Sequence, residues 1–65
     1  MLQKLTLSNG VTLNLGDFIQ DKDEKIPGEI IKLEQIGKSS YVTISKNGGP
    51  YIIGSYNIIK FYSKC

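Results

Sequence analysis

Three groups of side chains in this 65-residue chain could do chemistry. They are the acids Asp21, Asp23 and Glu24, the aromatics Phe18, Tyr41, Tyr51, Tyr56 and Tyr62, and the lysines Lys38, Lys46, Lys60 and Lys64. What is missing limits them first. There is no histidine, and the only cysteine is the terminal Cys65. Neither a Ser–His nor a Cys–His pair can therefore be assembled, and nucleophilic catalysis lacks its base. The same absences remove zinc sites built on Cys and His and any intrachain disulfide. The Asp-x-Asp-Glu run at 21–24 lacks the glycine and distal glutamate of a calcium loop, so a solvated loop is favoured over a calcium or magnesium site. Gly48-Gly49 lacks the spacing of a phosphate loop and reads as a turn. No enzyme activity, metal or cofactor is expected.

The lysines and aromatics point instead to binding. Residues 1–35 carry four lysines against six acids, a net charge of −2, whereas residues 36–65 carry four lysines and no acid. Lys38, Lys46, Lys60 and Lys64 could form a basic patch for phosphates. With no arginine in the chain, bidentate reading of guanine is lost and such binding would be non-specific. A plain solvated surface is the favoured alternative. Outward aromatics on a small β domain can stack bases, cage a cation or grip a peptide. They can equally cover the ends of the fold. Tyr41 faces away from Val42 and Ile44 by alternation, and Phe18 precedes the core candidate Ile19.

The elements that must position these groups are strands. Alternation places Leu5 and Leu7 on one face, and Val11, Leu13 and Leu15 on another run, with Asn9-Gly10 between them as a hairpin signal. Gly16 ends that run, and Asp17-Phe18-Ile19 opens the next strand. Residues 20–27 form a polar loop closed by Pro27-Gly28. Residues 28–36 read as a strand with Ile31 and Leu33 inward; helical spacing of Ile30, Leu33 and Ile36 competes, but the run is short and rich in β-branched residues. Gly37-Lys38-Ser39 is a turn, and residues 40–45 place Val42 and Ile44 inward. Residues 46–50 turn again. Residues 51–53 form a strand, Ser55-Tyr56-Asn57 a single 3₁₀ turn, and residues 58–62 a last strand. No alanine and many isoleucines favour strands over helices throughout. The expected fold is all-β, a single domain over 1–65, with five to six short strands closing as a small barrel and an N-terminal hairpin at 2–15. So short a chain buries only about 60% of its extended surface.

From Leu15 onward the pattern resembles an SH3-like barrel of the Tudor or KOW kind. The matching runs are GDFI at 16–19, GEII at 28–31, YVTI at 41–44, the apolar residues 51–53 and IIKF at 58–61. The resemblance implies a strand opening with Gly-Asp, a long loop, three meandering strands, a 3₁₀ turn and a closing strand over 16–62. A second resemblance, carried by GVTLNLGD at 10–17, is to the carbon-storage-regulator family of RNA-binding dimers, whose RNA-contacting arginines have no counterpart here.

The leading functional expectation is a non-catalytic protein–protein interaction module. The alternatives are a weak, non-specific nucleic-acid binder using the basic second half, and a self-assembling structural protein in which the N-terminal hairpin pairs across a homo-oligomer. No run approaches the ~18 apolar residues of a membrane span, so no membrane is expected. The Met1–Lys4 start lacks the apolar run of a signal peptide, and a free cysteine suits a reducing compartment, so a cytoplasmic location is expected. The richness in Ile, Lys, Asn and Tyr, residues with AT-rich codons, suits a phage protein that modulates a host protein.

Overall fold

The computed structural model describes residues 2–65. It is built mainly of strands in two sheets. Strands β1 (Lys4–Thr6) and β2 (Thr12–Asn14) form an antiparallel hairpin. Strands β3 (Phe18–Asp21), β4 (Pro27–Ile36), β5 (Ser39–Lys46), β6 (Gly49–Gly54) and β7 (Tyr62–Lys64) form the second sheet in the order β6-β5-β4-β3-β7. Helix α1 (Ser55–Phe61) links β6 to β7. Neither sheet closes on itself.

Turn chemistry sets the registers. Asn47 and Gly48 both have positive φ, 49° and 79°, between the paired residues Lys46 and Gly49. That is the left-handed pair a two-residue hairpin needs to match the strand twist. Gly37, at φ 60°, is the first residue of the two-residue link between Ile36 and Ser39. The Asn9-Gly10 turn is one residue longer than the tightest form. Leu7 and Val11 flank a three-residue loop in which only Gly10, at φ 91°, is left-handed.

Strand β4 serves two neighbours. Pro27–Glu29 pair with β3, and Glu29–Ile36 pair with β5. A register shift between Ile30 and Lys32 lets the strand bend between these tasks. Ile30 is held by the turn between β2 and β3: its N–H donates to the Asp17 carbonyl at 2.8 Å, and its carbonyl accepts from Gly16 N–H at 2.9 Å. The shift decides which isoleucine enters the core. Ile30 is buried and Ile31 is 46% exposed, which corrects the expectation that Ile31 points inward. Gly28 packs closely against the core, since a Cβ there would lie 2.9 Å from Ile44 Cδ1 and 3.3 Å from Ile44 Cβ and would displace that side chain.

The core comprises Leu5, Leu7, Leu13, Ile19, Ile30, Leu33, Val42, Ile44 and Ile58. The hairpin thus places three leucines in the same cluster as the larger sheet, so its apolar face is spent within the chain. A second correction concerns residues 55–62. The expected 3₁₀ turn and strand are one continuous helix, and the last strand begins only at Tyr62. Ile58 anchors that helix in the core.

Candidate functional site

Alternation from the buried Ile44 places Lys46 on the inner face of the sheet at its open end, and Tyr51 lies across the ladder from Ile44. On β7, Tyr62 pairs with Asp21 of β3. The Lys46 ammonium stands 5.8 Å from the centres of both the Tyr51 and Tyr62 rings. Those rings belong to β6 and β7, the two outer strands of the sheet, so one cation spans the seam between them. Contacts of this kind contribute roughly 0.5–1 kcal/mol each at exposed sites.

Asp21 stands at the same seam and organises the loop after β3. Its carboxylate accepts the backbone N–H groups of Glu24 at 2.6 Å and Ile26 at 3.2 Å. The Glu24 bond foremost holds its carboxyl below the usual aspartate range; burial opposes it next, and the Ile26 bond and Lys46 add weaker stabilisation of the charged form. Among the described residues no three of the acids and Cys65 come together as a metal-ligand set.

A second group lies on the exposed side of α1. Tyr56 and Lys60 are one helical turn apart, and the Lys60 ammonium sits 5.8 Å from the Tyr56 ring centre and 5.4 Å from that of Phe61. Tyr56 is 71% exposed. Beside it, Lys38, Tyr41 and Tyr56 line one shallow hollow together with Ser39, Ser40 and Ser55.

The third feature is the free side of β6. An open groove beside it is lined by Ile52, Ile53, Gly54, Phe61 and Tyr62 together with Asp21, Asp23 and Asn57. The tight turn makes Lys46 and Gly49 a hydrogen-bonded pair, and the antiparallel pattern then alternates along the ladder. Tyr51 and Ile53 bond back to β5, whereas Pro50, Ile52 and Gly54 direct their backbone groups out of the sheet. Pro50 fits this pattern, since it has no N–H to offer. The strand carries no charge, and Ile52 is 71% exposed.

The residues expected to bind therefore fall into separate places. Tyr51, Tyr62 and Lys46 come together at the seam. Tyr41, Tyr56, Lys38 and Lys60 gather around α1. Phe18 is exposed on β3 opposite Glu29 and lines none of these surfaces. Lys64 leaves the expected basic patch. Its ammonium pairs with Asp17 at 3.2 Å and donates to the Thr12 carbonyl at 3.0 Å, tying β7 to the hairpin. Asp17 is held low chiefly by the Asn14 backbone N–H, then by the Asn14 side chain, with Lys64 adding less. Ile52 and Phe61 were not anticipated. Alternation within residues 51–53 could have placed Ile52 outward, but three consecutive apolar residues hide that phase. Phe61 fell in a segment read as a strand.

No helix among the described residues is long and apolar enough to cross a membrane. Comparison with protein-family models, with curated proteins and with solved structures gives no match.

Proposed function

We propose that this chain is a non-catalytic binding module, an SH3-like barrel of the Tudor or KOW kind, that contacts a protein partner through β6 and the aromatics beside it. Support for the barrel comes from the order of elements. A strand follows Gly16-Asp17, a loop and the meander β4–β6 come next, and β7 returns to pair with β3 after α1. The helix stands where such barrels have a 3₁₀ turn. The observation that carries the binding reading is the uncharged edge of β6. Exposed, uncharged, apolar edges are what natural sheets ordinarily blunt with charge or cover. Here Ile52 stands open beside a groove to which Ile53, Phe61 and Tyr62 contribute. An extended segment of a partner could add to such an edge through backbone hydrogen bonds and seat side chains in the groove. A composition rich in Ile, Lys, Asn and Tyr, residues with AT-rich codons, suits a phage protein acting on a host protein.

A second reading is favoured by Lys38, Tyr41 and Tyr56, which line one hollow, and by Lys60 against the Tyr56 ring, a combination of cations and rings that a single-stranded nucleic acid would need. Capture from a lysate of the source or host cell separates the two. The tagged wild-type chain is expected to retain a stoichiometric protein, and Ile52→Asp is expected to lose it. Equal recovery by both chains would overturn the protein-partner reading. Retained nucleic acid that washes off steeply with salt would favour the second.

A further inference from the structure

We infer that the free edge of β6 pairs with the same edge of a second copy of this chain, antiparallel and centred on Ile52. The inference rests on the reading of β6 as the contact edge and names its partner.

The argument is one of self-complementarity. The backbone groups that β6 directs outward are the Pro50 carbonyl, the Ile52 N–H and carbonyl, and the Gly54 N–H and carbonyl. Proline contributes no N–H at its end. At the other end Gly54 is the N-cap of α1, and the carbonyl of an N-cap residue accepts the first bond of its helix. The edge therefore lacks a free donor at Pro50 and a free acceptor at Gly54. A two-fold axis at Ile52 sets these two positions against each other. Ile52 N–H then donates to the carbonyl of the partner's Ile52, and Gly54 N–H donates to the carbonyl of the partner's Pro50. Symmetry repeats both bonds. No outward backbone group on either edge is left without a partner, and none meets a group it cannot bond.

Charge agrees with this choice of edge. β6 has no charged residue from Gly49 to Gly54, so the paired strands themselves set no like charges opposite each other, and the acids Asp21 and Asp23 lie in the adjoining groove. The opposite edge of the sheet, β7, has only three residues and carries Lys64, which is engaged with Asp17. Such features make β7 a poor template for a second strand.

Area sets the strength. A standard interface takes about 800 Å² from each partner. That is close to a fifth of the 4257 Å² this chain exposes, more than a six-residue edge supplies. The dimer is accordingly weak and concentration-dependent. Each copy has a net charge of +2, so added salt tightens the association by screening repulsion. Nucleic-acid binding has the opposite salt dependence.

Sedimentation equilibrium of the full chain from micromolar to millimolar concentration tests this. Wild type is expected to pass from monomer to dimer, more readily at high salt. Gly54→Pro is the informative variant. Gly54 has φ −68°, which proline adopts without strain, and a Cβ there meets nothing within 4 Å. It deletes the outward N–H alone and is expected to weaken the dimer by about tenfold, the equivalent of ~1.4 kcal/mol, with a melting temperature no lower than that of wild type. Should Gly54→Pro fail to fold, Ile52→Asp decides, because it sets two like charges opposite each other at the axis. A wild-type chain that stays monomeric at millimolar concentration would overturn the inference, as would a variant that dimerises as wild type does. Either result leaves capture of a different protein by β6 intact, and the response of that capture to Ile52→Asp reports on it separately.

Discussion

Removal of residues 1–15 is expected to leave a chain that does not fold. The hairpin supplies Leu5, Leu7 and Leu13, three of the nine core residues. Burying a leucine stabilises a fold by roughly 1.5–3 kcal/mol, so the three together outweigh the ~3–5 kcal/mol that a single small core supplies. Their loss would also open the side of Ile19 and Ile58 that faces Leu7 and Leu13 across a small cavity. Further links would go with them, including the Lys64 bond to the Thr12 carbonyl and the Leu15 N–H bond to the Gln3 carbonyl. Far-UV circular dichroism and amide shift dispersion of the 16–65 chain provide the check. A cooperative melt of that shortened chain would show that the hairpin is an appendage to a self-sufficient five-stranded sheet.

Two adjacent isoleucines are expected to differ sharply. Ile30→Ala should cost about 2–5 kcal/mol, as deletion of a fully buried aliphatic side chain does, which is enough to unfold a domain of this size. Ile31→Ala should stay within about 0.5 kcal/mol, because that side chain is half exposed and no buried group depends on it. Urea denaturation of both variants measures the difference. Equal costs would place the register shift of β4 elsewhere and return Ile31 to the core.

That pair of residues marks the boundary of what the sequence reveals. Turns with a chemical signature were legible. Asn47-Gly48 occupies the two left-handed positions between β5 and β6, and Gly37 opens the β4–β5 link. The alternation around Val42 and Ile44 was equally plain, and both are buried. The inward member of Ile30-Ile31 was not, because side-chain pattern cannot separate two adjacent isoleucines. Backbone bonds from Gly16 and Asp17, distant in sequence from the bulge, fix that choice. The helix at 55–61 was illegible for a related reason. Its Ile58, Ile59 and Phe61 favour a strand locally, and its N-cap, Gly54, offers no side-chain hydrogen bond. Only the insertion of Ile58 into the core makes a helix the better solution there.

The candidate site divides in the same way. Outward placement of Tyr56 and of Lys60 required no more than their residue types. Their stacking required the helix, since a strand would have set them far apart. Lys46 and its two tyrosines illustrate the limit further. They are scattered over three strands, and only the curl of the sheet brings β6 and β7 to either side of one ammonium. Lys64 had an equally hidden partner in Asp17, across most of the chain. Charge counting along the sequence therefore overstates the free basic surface of the second half.

On the proposed reading, β6 is the edge through which the chain binds. Amide hydrogen exchange, measured on the dilute chain and again on the chain bound to a protein or to its own second copy, checks this residue by residue. In the dilute chain the N–H groups of Ile52 and Gly54 point out of the sheet and are expected to exchange rapidly, whereas those of Tyr51 and Ile53 are held by β5 and exchange slowly. Binding is expected to slow Ile52 and Gly54 selectively. Protection that arises instead around Lys38, Tyr41, Tyr56 and Lys60, with Ile52 and Gly54 still exchanging freely, would contradict the claim and move the binding face to α1.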